Sequence, residues 1–370
     1  MTPELGIELP PAPGAVTPEL GIVEGFYGRA WSWDERRAVT TSLAPAGYGF
    51  YLYAPKGDAY LRRQWREPYP RDAAAELTRF AADCRRKGVR FGVGLSPYEV
   101  FLGFDEAARA ALADRLALFD DLGVADVAIL FDDMRGDLPD LAQRQAEIVA
   151  FAAEHSGAGR LIVCPSYYSD DPVLDRVFGR RPEGYLEDLG RLLDPSIGIF
   201  WTGEEVCSRE LSPGHLARVA RALGRKPFLW DNYPVNDGPR MSQHLHLRGF
   251  TGRPAAIGAY VAGHAINPAL QPTLSCIPAL TLAMSYARGD DYAYGEAFYE
   301  AAAMVAGETL ATMLRDDILS LDDGGLGRMS DERRASLRER YGAIDHPAAR
   351  EVAEWLDGRY GVSAEEVATQ

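Results

Sequence analysis

Eight short apolar runs recur along the chain, separated by longer amphipathic stretches, and this alternation constrains the fold more than any other feature. Each run is almost continuously apolar, which is typical of strands that are buried on both faces of a parallel sheet. The runs lie at residues 21–26, 49–53, 90–95, 124–131, 161–164, 197–201, 227–230 and 256–261.

The stretches between these runs have the apolar spacing of helices. Eight strand–helix units over roughly 265 residues match the size of a TIM (β/α)8 barrel, an α/β fold. A doubly wound open sheet is the alternative, but its usual six strands would leave two runs unassigned. The predicted helices are 34–43, 72–87, 105–122, 138–154, 185–193, 215–223 and 273–287, with 240–248 as the weakest.

The remaining sequence divides the chain into three segments. Residues 1–19 contain five prolines and predict a flexible tail, and residues 20–289 form the barrel. Residues 290–370 are rich in Ala, Glu, Arg and Leu with helical spacing and predict a helical C-terminal appendage, through which an oligomer could form. The hexapeptide Thr-Pro-Glu-Leu-Gly-Ile occurs at both 2–7 and 17–22, a duplication that nothing in the sequence explains.

Charge and cysteine content narrow the possible functions. The chain has 54 acidic and 39 basic residues, a net charge of −15 that disfavours a nucleic-acid partner. It has neither an apolar run of about 18 residues nor a basic residue before Arg29, so we expect no spanning helix and no secretory signal. The four cysteines lack CxxC spacing and predict reduced thiols. We therefore expect a cytoplasmic protein that binds neither nucleic acid nor membrane.

Catalytic groups of a TIM barrel come from the carboxyl ends of its strands. Of the six Asp-Asp pairs in the chain, only Asp132-Asp133 closes a long apolar run. A solvated turn or a helix cap is the alternative for such a pair. Two adjacent carboxyls cannot easily both be charged, so their pKa values should separate and give the two groups different roles. Because successive strand side chains face opposite ways, both reach one pocket only if the strand ends or twists there.

Other strand ends carry aromatic rings together with amides, carboxylates and one lysine. Lys56 is one of only three lysines, a residue type that places a compact positive charge, although a chance surface position is the alternative. Rings stack on the C–H faces of a sugar, and polar groups pair with its hydroxyls. His244 and His246 lie apart from the acidic pair and predict core or solvated histidines rather than metal ligands. We expect no cofactor and no metal.

With the strand ends written out, residues 20–285 resemble the family 84 glycoside hydrolases, the group of O-GlcNAcases and bacterial β-N-acetylglucosaminidases. Several motifs of this length in one order are a far stronger signal than any single motif. The matching stretches are Gly21-Ile-Val-Glu-Gly-Phe-Tyr-Gly-Arg29, Tyr51-Leu-Tyr-Ala-Pro-Lys56, Gly94-Leu-Ser-Pro97, Leu130-Phe-Asp-Asp133, Cys164-Pro165 to Tyr168, Phe200-Trp-Thr-Gly203, Trp230-Asp-Asn-Tyr-Pro-Val-Asn-Asp237 and Asn267-Pro268.

The resemblance implies a retaining exo-β-N-acetylglucosaminidase, whose nucleophile is the acetamido oxygen of the substrate and whose intermediate is an oxazoline. It implies that Asp132 holds the acetamido N–H and that Asp133 protonates the leaving oxygen and then activates water. It also implies that the backbone carbonyl of Gly25 and the ammonium of Lys56 bind sugar hydroxyls. The remaining implied site residues are Asn232, Asp237 and Asn267 for hydroxyls and acetamide, and Tyr168 and Trp230 as walls of the acetamide pocket.

The expected partner is a protein or a glycan that bears terminal GlcNAc. A non-catalytic glycan-binding barrel is the alternative function, although such a protein has no need of the paired acids. A metal-dependent hydrolase is a third possibility, which sensitivity to chelators would reveal.

Overall fold

The computed structural model describes residues 16–370, and in these residues eight parallel strands close into one barrel in the order of the sequence. The strands are β1 Glu19–Glu24, β2 Tyr48–Tyr53, β3 Arg90–Leu95, β4 Asp126–Leu130, β5 Arg160–Cys164, β6 Gly198–Trp201, β7 Phe228–Asp231 and β8 Gly263–Ile266. Closure comes from the pairing of β1 with β8, in which Leu20 lies opposite His264 and Ile22 lies opposite Ile266. The predicted TIM (β/α)8 barrel is confirmed.

Helices surround the barrel because each has an apolar face to bury against the strands. They are α1 Trp33–Leu43, α2 Arg71–Arg86, α3 Glu106–Asp121, α4 Leu141–His155, α5 Pro172–Phe178, α6 Tyr185–Leu192, α7 Pro213–Leu223 and α8 Pro272–Arg288. The helix α1 begins with the capping box that Ser32 and Glu35 form. The structure adds α5, a short helix that the spacing of apolar residues did not predict.

The helical C-terminal region is also present. Its helices are α9 Tyr294–Ile318, α10 Asp331–Gly342, α11 Pro347–Leu356 and α12 Ala364–Thr369. The helix α9 changes direction at Gly307, where φ is +82° and ψ is 160°. From α11, the buried carboxylate of Glu351 accepts hydrogen bonds from the amides of Thr273 and Leu274 at the start of α8, at 2.8 and 2.9 Å. This contact attaches the C-terminal region to the barrel.

The predicted position of the eighth strand is wrong. Residues 256–260 lie in a 3₁₀ segment, Ala255–Tyr260, which Val261 follows, and β8 begins at Gly263. The prediction followed an apolar run at 256–261. The true strand, β8, has only four residues and includes a polar side chain, His264. That imidazole is buried because Asp231 and Tyr286 bond its two ring nitrogens, at 3.0 and 2.8 Å.

The weakest predicted helix, 240–248, is also wrong, since only the 3₁₀ turn Met241–Gln243 forms there. The backbone amides of Leu247 and Arg248 donate instead to the side chain of Asp322, at 2.9 and 3.2 Å. Asp322 lies in the C-terminal region, so a partner distant in sequence replaces the bonds of a helix. Residues 1–15, which include most of the predicted tail and the first copy of the repeated hexapeptide, lie outside the described residues.

Candidate active site

One cavity of about 240 Å³ lies at the carboxyl ends of the strands, on the scale of a small-molecule site. Each predicted site residue lines it. These are Gly25, Lys56, Asp132, Asp133, Tyr168, Trp230, Asn232, Asp237 and Asn267. They come from six of the eight strand ends, so the barrel brings together side chains that lie far apart in the sequence.

The two adjacent aspartates face the same cavity because the strand ends before them. The last residue of β4 is Leu130, and Asp133 has a φ of +57°, in the left-handed region. That conformation is uncommon for residues other than glycine, and aspartate and asparagine tolerate it better than most. It ends the alternation of side chains along the strand. The sequence analysis required such an ending or twist if both side chains were to reach one pocket.

Lys56 joins the two carboxylates. Its ammonium forms an ion pair with Oδ2 of Asp132 and lies 3.4 Å from Oδ2 of Asp133. Burial opposes the positive charge, but Asp132 and Asp133 outweigh burial and raise the pKa of Lys56. The other oxygen of Asp132, Oδ1, is buried and has no hydrogen-bond partner. A buried carboxylate oxygen of this kind is a free acceptor, since buried polar atoms are normally satisfied.

Asp133 has a different environment, with donors on both oxygens. The Tyr27 hydroxyl donates to Oδ2 at 2.7 Å, and the Tyr168 hydroxyl donates to Oδ1 at 3.4 Å. Burial acts to raise the pKa of Asp133, but the charges of Lys56 and Arg62 and the hydrogen bond from Tyr27 together lower it. Near neutral pH Asp133 is therefore a carboxylate in the protein without substrate.

A chain of hydrogen bonds joins the amide side chains that line the cavity. Oδ1 of Asn232 accepts from Nε1 of Trp230 at 3.1 Å and from Nδ2 of Asn267 at 3.0 Å. Oδ1 of Asn267 accepts from the backbone amide of Gly25 at 3.2 Å, and Nδ2 of Asn232 donates to the Val206 carbonyl at 2.8 Å. A Cβ atom on Gly25 would lie 2.2 Å from the Trp230 ring, so glycine allows this close approach. The chain holds the indole and both amides in place.

Asp237 also lines the cavity, and its Oδ2 accepts from the backbone amide of Tyr27 at 2.9 Å. Burial is the main cause that raises the pKa of Asp237. This direction is opposite to that of Asp133, so the cavity contains carboxyls of unequal acidity.

Sequence reasoning assigned nine of the eighteen residues that line this cavity, and Tyr27 and Val367 are among the nine that it missed. Tyr27 follows β1 inside a quoted motif, and a phenol at a strand end was the signal that could have identified it. Val367 lies in α12, more than two hundred residues after β4, and no local pattern points to it. Both histidines bond backbone carbonyls: Nδ1 of His244 bonds the carbonyl of Asp322, and Nδ1 of His246 bonds that of Val235.

Residues 16–370 contain no group of three His, Cys, Asp or Glu side chains arranged to hold a metal ion. A helix with both the length and the apolar character needed to cross a bilayer is likewise absent from these residues. Cys84, Cys164 and Cys276 are buried free thiols, as predicted, and Cys207 is exposed.

The chain is similar to known proteins that act on GlcNAc. The β-N-acetylglucosaminidase family model matches residues 20–317. The protein O-GlcNAcases of Mus musculus and Rattus norvegicus are each 28% identical over 275 residues, which is 72% of this chain and 30% of theirs. An O-GlcNAc hydrolase mutant from Thermobaculum terrenum superposes with a TM-score of 0.75 at 28% identity, covering 92% of this chain and 80% of that one.

The chain spans about a third of the length of the mammalian relatives, 30% in each case. The family match, however, extends from the first strand of the barrel to α9 and includes every predicted site residue. The chain belongs to the β-N-acetylglucosaminidase family.

Proposed function

We propose that the protein is a retaining exo-β-N-acetylglucosaminidase that removes terminal β-linked GlcNAc by substrate-assisted catalysis. The unpartnered, buried Oδ1 of Asp132 carries this proposal. A substrate amide N–H supplies the donor that this oxygen lacks, and the acetamido group of GlcNAc is such a donor. Family membership and the O-GlcNAc hydrolases that the chain resembles support the same substrate.

In the first step, the acetamido oxygen attacks C1 of the sugar and the bond from C1 to the glycosidic oxygen breaks. Asp132 accepts the amide proton as the oxazoline closes, and Asp133 gives a proton to the departing oxygen. In the second step, Asp133 takes a proton from water, whose oxygen attacks C1 as the bond from C1 to the acetamido oxygen breaks, and Asp132 returns its proton to the nitrogen. An internal nucleophile held in place has a high effective concentration, which lowers the barrier.

Binding of the sugar prepares Asp133 for its role as an acid. In the free site its pKa is lowered, although burial, its largest single influence, acts to raise it. A sugar that covers the cavity removes further water from Asp133 and occupies the hydrogen-bonding capacity of Lys56. Both changes favour the protonated carboxyl. The protein therefore keeps a carboxylate in the empty site and an acid in the complex.

The other cavity residues hold the substrate. Lys56 and the carbonyl of Gly25 bind hydroxyls, as do Asp237 and the amides of Asn232 and Asn267. The rings of Tyr168 and Trp230, which are 8% and 5% exposed, wall the acetamide. Aromatic walls with few polar groups bind a small ligand in one orientation.

Two aryl glycosides test the reaction class. We expect hydrolysis of an aryl β-N-acetylglucosaminide and no detectable hydrolysis of the matching aryl β-glucoside, which lacks the acetamido nucleophile. Equal turnover of both would contradict substrate assistance. Sugar binding without product at high protein concentration would instead indicate a glycan-binding protein.

We also propose that the natural substrate is a GlcNAc-bearing protein or glycan and that the protein acts in the cytoplasm. The free thiols of Cys84, Cys164 and Cys276 support a reducing compartment. Association with a second copy through the C-terminal helices stays a prediction, and a measurement of mass in solution is its test.

A further inference from the structure

Residues 363–370 lie beside the cavity although they follow the part of the chain that matches the family model, which ends at residue 317. Val367 of α12 lines the cavity and is half-buried. Its neighbours Ala368 and Thr369 are exposed, so α12 presents one face to the barrel and one to solvent. The buried Val362 anchors the segment, and its amide donates to Oγ of Ser242 at 3.3 Å.

Two arginines and one backbone amide of the barrel hold the segment in place. Nε of Arg62 donates to the carbonyl of Gln370 at 3.0 Å, and Arg63 donates to the carbonyls of Thr369 and Ala368 at 3.1 and 2.9 Å. The amide of Gly28 donates to Oε1 of Gln370 at 2.8 Å. Cations at the end of a helix satisfy its free carbonyls and complement its dipole, so the arginines stabilise α12 where it lies.

The segment is attached to residues that surround Asp133. Gly28 follows Tyr27, whose hydroxyl donates to Asp133. Arg62 is close enough for its charge to lower the pKa of the same carboxyl. A general acid must lie beside the oxygen that it protonates, so groups around Asp133 flank the leaving group. Residues 363–370 are therefore on the leaving-group side of the cavity.

We propose that residues 363–370 form a wall that determines which leaving groups reach the site, favouring GlcNAc on a slender, extended chain over GlcNAc on a folded surface. A broad leaving group collides with α12, whereas an extended chain passes beside Val367. This inference rests on the proposed function and adds a specificity-determining segment to it.

The test compares two substrates with the same glycosylated sequence, one as a short GlcNAc-bearing peptide and one within a folded protein. The variants are a chain that stops after Val362 and Arg63→Ala, which removes two hydrogen bonds to the segment. We expect the kcat/KM ratio of folded to peptide substrate to rise about tenfold in the shortened chain and about threefold in Arg63→Ala. Arg66→Ala is the matched control, because Arg66 is an exposed residue of the same loop that stacks on Trp65 instead, and its ratio should stay unchanged.

An unchanged ratio in both variants, with thermal midpoints near that of the parent, would overturn the inference while leaving the proposed function intact. If the shortened chain unfolds, the ratio in Arg63→Ala decides. A parent that neither hydrolyses nor binds any GlcNAc compound would overturn the proposed function, and the inference with it.

Discussion

Asp132 and Asp231 are both buried carboxylates at strand ends of one barrel, but they differ in how many of their oxygens have a hydrogen-bond or ion-pair partner. Arg253 donates to both oxygens of Asp231, at 2.7 and 2.8 Å, and His264 bonds the second oxygen at 3.0 Å. Asp132 has one cation, Lys56, on one oxygen and no partner on the other. A carboxylate with both oxygens paired holds the fold together, whereas one with a free oxygen is available to a ligand.

The pKa of Asp231 shows the strength of its pairing. Burial acts to raise it, but Arg253, together with His264, lowers it to about 2. Removing one member of such a buried pair leaves the other charge without compensation, which is costly. The two aspartates should therefore respond in opposite ways to the same substitution, one losing activity and the other stability.

The largest effect should come from Asp132→Asn. The amide cannot accept the acetamido proton, so kcat for an aryl β-N-acetylglucosaminide should fall by a factor on the order of 10³. Because Lys56 keeps a counter-charge in Asp133, whose Oδ2 lies 3.4 Å from the ammonium, the thermal midpoint should stay within about 2 °C of that of the parent, which calorimetry measures. A large loss of stability would place Asp132 with the structural carboxylates.

The matched substitution Asp231→Asn should reverse this pattern. It leaves Arg253 buried without its counter-charge, so the free energy of unfolding should fall by about 3 kcal/mol. Urea titration measures this loss. Activity per folded molecule should change little, since Asp231 does not line the cavity. If the variant is as stable as the parent, full pairing does not distinguish a structural carboxylate.

Asp133→Asn should have an effect that depends on the leaving group. For a poor leaving group, such as an alkyl alcohol, kcat/KM should fall by about 100-fold because the oxygen must be protonated as it departs. For a nitrophenolate the loss should be below about tenfold. Steady-state kinetics with a series of aryl glycosides measures the slope. A uniform loss across the series would assign the acid to another residue.

The pH profiles of kcat/KM and kcat should separate on the alkaline side. An acid must be protonated to act, so activity falls as pH rises through its pKa. The pKa of Asp133 is lowered in the free site, and kcat/KM, which reports free enzyme, should decline at lower pH than kcat, which reports the complex. Superimposed profiles would show that the sugar leaves the acidity of Asp133 unchanged.

The smallest effect concerns Glu351, a buried carboxylate with amide donors on both oxygens and no cation. Burial is the largest influence and raises its pKa from 4.5 to about 7. The folded state therefore holds this proton more tightly than the unfolded state, and the stabilising contribution, present below pH 4.5, is lost as pH rises through 7. Between pH 5 and 8, urea titration should show a steeper fall in stability for the parent than for Glu351→Gln. Equal slopes would mean that Glu351 is ionised in the fold already at pH 5.

Local pattern was enough to predict the parts of the site that follow strongly apolar strands. Asp132, Asp133 and Lys56 each come after such a run, and the barrel brings strand ends together, so their meeting followed from the fold alone. The predicted position of the eighth strand was wrong because His264, a polar residue that is buried with hydrogen-bond partners, lies in the true strand. Even so, Asn267 lies at the predicted strand end and lines the cavity, because it follows both the wrong run and the true strand.

Local sequence pattern could not predict contacts between distant parts of the chain. The stretch 240–248 is not a helix because Asp322 binds its amides, and Val367 lines the cavity because Arg62 and Arg63 hold α12. Neither partner leaves a trace in the sequence around the residue that it affects. Periodicity reports which face of an element is buried, but it does not report what covers that face.

The backbone conformation at Asp133 also determines which substitution is suitable for trapping a complex with uncleaved substrate. At a φ of +57°, alanine would strain the turn, and glycine would loosen it. Asparagine tolerates the same conformation, and its amide can keep the hydrogen bond from Tyr27. For co-crystallisation with an uncleaved substrate, Asp133→Asn is therefore the better variant, because it is nearly isosteric and preserves the backbone conformation around it.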